Sequence, residues 1–153
     1  MADIKAGSYV QGASTISQQL IKLSHLTSEK TISRKAEEAA LAYEMERQYS
    51  KEDILEMYLN YVYFGGGYYG IEAAAKGYFG VHASDLTLDQ SAMLAGILKS
   101  PSGYAPHINY AASINRRNNI LRLMRDYGYI TDDEKKQASA GRPTILHDKN
   151  EEY

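Results

Sequence analysis

Apolar residues Ile16, Leu20, Leu23 and Leu26 recur at spacings of three and four, the repeat of one helix face, and predict a helix over 16–26. Ser14 or Thr15 stands where its N-cap belongs. Residues 24–30 read as a break. A second helix is expected from about 33 to 49, a stretch rich in Ala, Glu, Arg and Met, which lose little freedom in a helix. Ser50 with Asp53 forms a capping pattern that opens a helix through residue 59. Residues 60–69 hold Gly65, Gly66 and Gly67 between aromatics and must form a loop. A short alanine-rich helix over 71–78 closes near Gly80. Thr87 with Gln90 caps a helix that ends near Ser100 and Pro101. Residues 111–127 are helical up to Gly128, and Thr131 with Glu134 opens one more helix, ended by Gly141.

Residues 1–7 read as the end of a helix stopped by Gly7, and a methionine placed directly on such an end suggests a shortened chain. No run alternates with the period of a strand, although Val10 or residues 61–64 could be locally extended. The expected fold is therefore mainly α with short connections. No repeat or linker interrupts it, so one domain is expected over 1–142, with 143–153 as a C-terminal tail.

Composition narrows the function classes. The 153 residues fit one domain with one core. Apolar residues make up 44% and charged residues 24%, the balance of a globular protein. A net charge of −2 lacks the basic field by which nucleic acids are gathered, so no nucleic-acid partner is expected. With no cysteine, disulfides, thiolate metal sites and a cysteine nucleophile are excluded. No apolar run reaches ~18 residues, the length that reads as a spanning helix. The chain has 14 Tyr, two Phe and no Trp, and tyrosine suits wet clefts and core rims alike.

Candidate chemistry sits first on the 16–26 helix. Thr15, Gln18, Gln19 and Lys22 fall on one face, with Ser14 just before them. That face bears hydroxyl, amide and ammonium donors beside a helix N-terminus, which favours an anion. It also fits a plain solvated surface. Lys30, Arg34, Lys35 and Glu38 come next. A row of cations beside one carboxylate can grip a diphosphate, directly or through a divalent metal, or can form ordinary i,i+4 ion pairs such as Arg34 with Glu38. Glu56 sits near a helix C-terminus, where an acid needs a partner, and Asn60 follows it. Arg116, Arg117 and Asn118 could pair with Glu56 or other acids, or line a phosphate cleft. His25, His82, His107 and His147 show no metal-ligand spacing, and the glycine triplet lacks the Lys-Ser/Thr of a nucleotide loop.

The order of these segments is more specific than any one of them. The run Gln11-Gly12-Ala13-Ser14-Thr15-Ile16-Ser17-Gln18-Gln19-Leu20 resembles a motif of the peptidoglycan glycosyltransferases, glycosyltransferase family 51. These are the transglycosylase modules of class A penicillin-binding proteins and their monofunctional relatives. Arg34-Lys35-Ala36-Glu37-Glu38 resembles the family's Arg-Lys-x-x-Glu motif. Lys51, Ile54, Leu55, Glu56, Tyr58, Leu59 and Asn60, followed by Tyr63-Phe64-Gly65, resemble its Lys-x-x-Ile-Leu-Glu-x-Tyr-Leu-Asn motif. Ala95-Gly96, Pro101 and Arg116-Arg117-Asn118 complete the series, over about residues 7–140.

The resemblance implies a lysozyme-like helical domain, here N-terminally truncated, in which residues 1–142 form part of the module. It implies inverting polymerisation of lipid II onto a growing glycan strand, with loss of undecaprenyl diphosphate. Glu38 then matches the family's second carboxylate, with a divalent metal (Mg or Mn) as a companion and no organic cofactor. Ser14, Thr15, Gln18, Gln19, Lys22, Lys30, Arg34 and Lys35 match substrate-binding positions. Glu56, Asn60, Arg116, Arg117 and Asn118 match the structural motifs. Further implied partners are phosphoglycolipid inhibitors and the membrane surface. The implied location is the outer face of the bacterial cytoplasmic membrane, with no anchor in these residues. Ala13 departs from the commoner glycine. The family's first motif, which carries the catalytic base, has no counterpart, since only thirteen residues precede Ser14. The expectation is a chain inactive on its own, whose incomplete cleft could self-associate. The alternative is a non-catalytic module that binds lipid II or phosphoglycolipids. A glycan-cleaving reading would need a carboxylate pair flanking the bond and fits the cations poorly.

Overall fold

The computed structural model describes residues 15–24 and 31–147. Among them the fold is all α: α1 (Ile16–Ser24), α2 (Ile32–Gln48), α3 (Lys51–Tyr61), α4 (Ile71–Phe79), α5 (Leu88–Ile97), α6 (Pro101–Tyr104), α7 (Tyr110–Asp126) and α8 (Asp132–Ala140). A 3-10 turn at Ala83–Asp85 lies between α4 and α5. The chain forms two compact units, Met1–Tyr61 and Val62–Tyr153.

In the first unit, α1 packs against both α2 and α3. Its buried side is Ser17, Leu20 and Ile21, a helical spacing that puts the polar residues on the other faces. Thr15 caps α1 reciprocally with Gln18: Thr15 Oγ1 accepts from the Gln18 N–H at 3.1 Å, and Gln18 Oε1 accepts from the Thr15 N–H at 3.2 Å. The predicted break at 24–30 lies mostly outside the described residues. α2 starts at Ile32, slightly before the expected position, because Thr31 is its cap and accepts from the Arg34 N–H at 3.2 Å. Ser50 opens α3 through its hydroxyl, which accepts from the Asp53 N–H at 3.1 Å. Ile54 and Tyr58, one turn apart, are the buried side of α3.

The second unit begins with the glycine loop. Tyr63 and Tyr69 form an isolated antiparallel bridge, so the stretch after α3 is locally extended there. Gly65, Gly66 and Gly67 have φ of 75°, 60° and 81°, a left-handed conformation costly to any residue with a Cβ. The fully buried Tyr78 on α4 donates its hydroxyl to Phe64 O at 2.9 Å and so fixes the loop from below. Burial raises the Tyr78 pKa, with Tyr68 and Tyr63 adding to the effect, so the phenol stays a donor.

Ala92, Leu121 and Ala138 form a buried cluster of α5, α7 and α8, flanked by Leu88, Ile120, Met124 and Ile130. Arg117 ties these helices together. Its side chain is fully buried, and it donates to Asp89 Oδ1 (2.6 Å), Gly141 O (2.8 Å), Ser139 O (2.9 Å) and twice to Asn118 Oδ1 (3.1 and 2.8 Å). All the guanidinium donors are thus used, and the last carbonyls of α8 gain a cation as well as partners.

Two departures from the sequence reading have plain causes. α5 ends at Ile97, and Pro101 begins a separate turn of helix, α6, because proline is well suited to a first helical position. The segment read as a tail is docked over its described part. Tyr110 donates to Pro143 O at 2.8 Å, the Leu146 N–H donates to Tyr78 O at 2.8 Å, and Tyr68 Oη lies 2.8 Å from His147 Nδ1.

Candidate functional site

The first unit holds a pocket of about 120 Å³ between α1 and α2, lined by Ile21, Lys22, Arg34, Glu37, Glu38 and Leu41. Two turns of helix create it. Lys22 follows the buried Ile21 on α1, and Arg34, Glu38 and Leu41 recur on α2 at spacings of four and three, so they share one face. The lining mixes the apolar Ile21 and Leu41 with the charged Lys22, Arg34, Glu37 and Glu38.

Glu38 is sheltered, with 12% of its side chain accessible, and Lys35 Nζ lies 3.8 Å from its Oε2. A carboxylate so far out of water needs a cation nearby, and Lys35 supplies it while remaining 59% exposed itself. Arg34, four residues before Glu38, lines the same pocket. Lys22 forms no ion pair with any described residue, which leaves an ammonium group at the rim of a pocket that Arg34 also lines.

The amides of α1 are oriented by the protein. Gln18 Oε1 is occupied by the Thr15 N–H, and Gln19 Oε1 accepts from Tyr58 Oη at 3.0 Å across the α1–α3 contact. Tyr58 is 7% exposed, and burial raises its pKa, so its hydroxyl remains a donor.

Thus Thr15, Gln18, Gln19 and Lys22 lie on α1 or at its cap, and Lys22, Arg34 and Glu38 meet at one pocket. Ser14 and Lys30 fall outside the described residues. Glu56 and Asn60 are exposed on α3. Arg117 and Asn118 serve the Asp89 network of the second unit, and Arg116 stands with its Cζ 6.0 Å from the centre of the Tyr104 ring. Sequence reasoning missed Ile21 and Leu41 as the pocket's apolar lining, Tyr58 as the partner of Gln19, and Asp89 as the partner of Arg117. The signal for Tyr58 was its spacing of four from Ile54, which marks the buried side of α3.

Among the described residues no group of three or more His, Cys, Asp or Glu could hold a metal ion. No described helix is long and apolar enough to cross a membrane.

The first unit is thus helical, with a small pocket lined by Lys22, Arg34 and the sheltered Glu38. Residues 1–125 match the family model described as Transglycosylase, and the chain belongs to that family. It is 43% identical over 150 residues to penicillin-binding protein 1A of Aquifex aeolicus, covering 98% of this chain and 20% of that protein. It is 48% identical over 149 residues to penicillin-binding protein 1F of Bacillus subtilis, covering 97% of this chain and 21% of that one. The chain therefore spans about a fifth of the length of these relatives. Among solved structures it is similar to the crystal structure of penicillin-binding protein 1A from Haemophilus influenzae. That match has a TM-score of 0.60 at 26% identity and covers 92% of this chain and 18% of that one.

Proposed function

We propose that this chain supplies the donor-phosphate side of a peptidoglycan glycosyltransferase that polymerises lipid II at the outer face of the bacterial cytoplasmic membrane. The observation that carries the reading is the pocket itself: Lys22, without an ion-pair partner among the described residues, and Arg34 line it together with the sheltered Glu38. Membership of the transglycosylase family supports the reaction class.

In that reaction the 4-hydroxyl oxygen of one sugar forms a bond to the anomeric carbon of another. The bond from that carbon to the diphosphate oxygen breaks, and the electron pair leaves with the lipid diphosphate. The leaving group concentrates negative charge, and fixed cations at a partly dry site stabilise it as it forms. Lys22 and Arg34 are those cations in this reading. Arg34 can meet two phosphate oxygens with its planar fork, while Lys22 acts as a point charge. Ile21 and Leu41 in the lining give the first carbons of the lipid apolar contacts. The hydroxyl's proton needs a base, and no residue of this chain is assigned to that role.

A magnesium or manganese ion fits only as one carried by the diphosphate. The pocket lining offers the carboxylates of Glu37 and Glu38, and magnesium sites commonly combine one or two carboxylates with substrate phosphates. Bound so, the ion would offset phosphate charge; Glu38 would hold it in place.

The test is the affinity of the chain for lipid II, with Lys22→Ala and Glu38→Gln beside it. A loss of about tenfold in Lys22→Ala is expected, the scale of one charge-assisted hydrogen bond. Equal affinity for all three chains returns these residues to an ordinary helix surface. Binding without polymerisation is the expected behaviour of the 153 residues alone, and glycan strands formed by them would refute it.

A further inference from the structure

We propose that Arg116, on α7 of the second unit, is an anion-binding residue whose guanidinium takes a carboxylate or phosphate group of a ligand. This site belongs to the second unit alone and does not depend on the function proposed above.

From residue 90 to residue 125 the chain carries five lysines and arginines, Lys99, Arg116, Arg117, Arg122 and Arg125, and no aspartate or glutamate. The cations of this stretch must find carboxylates outside it or do without. Arg117 reaches Asp89 at 2.6 Å, Arg122 reaches Asp126 at 3.2 Å, and Arg125 reaches Asp126 and Asp132, each at 2.9 Å. Lys99 is exposed, so water solvates its ammonium group. Arg116 has neither remedy in full. It is partly buried, it forms no ion pair or hydrogen bond with a described residue, and its Nε is closed from solvent without a partner.

The packing holds Arg116 in that position. Its stem lies on Gly96 of α5, where a Cβ would stand 2.8 Å from Arg116 Cγ, so glycine is what leaves room for it. Its Cζ is 6.0 Å from the centre of the Tyr104 ring, at the outer edge of the cation–π range. A ring face at that distance attracts the charge weakly and leaves the N–H donors unused. Arginine cannot relieve burial by losing its proton, and it carries five donors in a planar fork. A charge drawn out of water without a counter-charge is costly, and the cost is offset when one arrives. An oxyanion supplies it best, because carboxylate and phosphate each offer two oxygens that match the fork. Of the three side-chain nitrogens only Nε is sealed, so the terminal pair is where the anion is met.

The experiment follows the arginine Nε–Hε NMR signals of the full chain during titration with inorganic phosphate and, separately, acetate, with ionic strength held constant by sodium chloride. Arg116→Met and Lys99→Gln are titrated beside the native chain, and thermal unfolding is recorded for all three. The Arg116 signal should shift and saturate, with half-saturation on the order of 10 mM, the scale of one pair of charge-assisted hydrogen bonds. Saturation by phosphate alone assigns a phosphoryl ligand, and by acetate alone a carboxylate. Arg116→Met keeps an unbranched stem over Gly96 and removes the charge. Without phosphate its melting temperature should equal or exceed the native value, since an unpaired charge has gone. At about ten times the half-saturating concentration, phosphate should raise the native melting temperature by roughly 3–6 °C more than that of Arg116→Met. The general stabilising effect of phosphate acts on both chains and cancels in that difference. The proposal is overturned if neither anion gives a saturating shift at Arg116, or if Arg122 shifts as much as Arg116. It is overturned equally if Lys99→Gln abolishes the saturation, which would make the effect one of diffuse charge. A fall of more than about 4 °C in Arg116→Met without phosphate overturns it as well, because the arginine would then be a structural partner.

Discussion

Arg117→Ala is expected to be the most damaging single substitution in the second unit. The Arg117 side chain is fully buried, its ion pair to Asp89 is 2.6 Å long, and Asp89 is itself only 15% exposed. Deleting the guanidinium leaves the Asp89 carboxylate without its cation. It also strips partners from Ser139 O and Gly141 O at the end of α8. Removing one member of a buried pair costs about 3–5 kcal/mol, because the survivor keeps its desolvation penalty and loses its compensation. Against a total stability of about 5–15 kcal/mol this is a large fraction. At about 2–4 °C per kcal/mol for a chain of this size, the melting temperature should fall by roughly 6–20 °C. The assay is thermal and urea unfolding followed by circular dichroism. A second variant locates the cause. Asp89→Asn added to Arg117→Ala removes the stranded charge and should recover part of the loss. A melting temperature within about 2 °C of the native chain, or no recovery in the double variant, would refute the view that this pair ties α5, α7 and α8 together.

Three further outcomes follow from the packing of the second unit. Gly141→Ala should destabilise by about 1–3 kcal/mol in urea unfolding, since a Cβ there runs into the Asp89 carboxylate and forces the Arg117 network apart. Tyr78→Phe should lose about 1–3 kcal/mol, because the buried Phe64 carbonyl loses its donor and no water can replace it; a neutral result would mean that the glycine loop holds itself. Glu72 accepts from the Ala83 N–H at 2.9 Å and pairs with His82 and Lys76, which together lower its pKa to about 2. A carboxylate with a lowered folded pKa adds stability above its unfolded pKa and loses it as pH falls toward 2. Its NMR titration midpoint should therefore lie near 2 rather than in the usual glutamate range, and the 3-10 turn that follows α4 should loosen only in strong acid.

Local signals in the sequence carried much of the fold. Thr87 with Gln90, Thr131 with Glu134 and Ser50 with Asp53 each mark a helix start that the structure contains, because capping depends on residues only three apart. Gly80 with φ 70° marks the end of α4 for an equally local reason. What escaped the sequence depends on distant partners. Nothing in the Leu88 to Gln90 segment says that Asp89 will meet an arginine 28 positions away, and nothing in Pro143 to His147 says that this segment will bond to Tyr78 and Tyr110. The site shows the same division. Lys22, Arg34 and Glu38 could be nominated from their order along the chain, and their meeting at one pocket required the packing of α1 on α2. Tyr58 could be assigned to a buried face by its spacing from Ile54, but its hydrogen bond to Gln19 spans 39 positions.

The central claim is that the α1–α2 pocket receives the diphosphate of a lipid-linked sugar. The most direct measurement is a backbone and side-chain NMR titration of the chain with a short-chain lipid II analogue. The account predicts shifts centred on Lys22, Arg34 and Glu38, saturating with the ligand and much reduced in Lys22→Ala. Shifts confined to the unit Val62–Tyr153, or none in a chain with a well-dispersed spectrum, would contradict it.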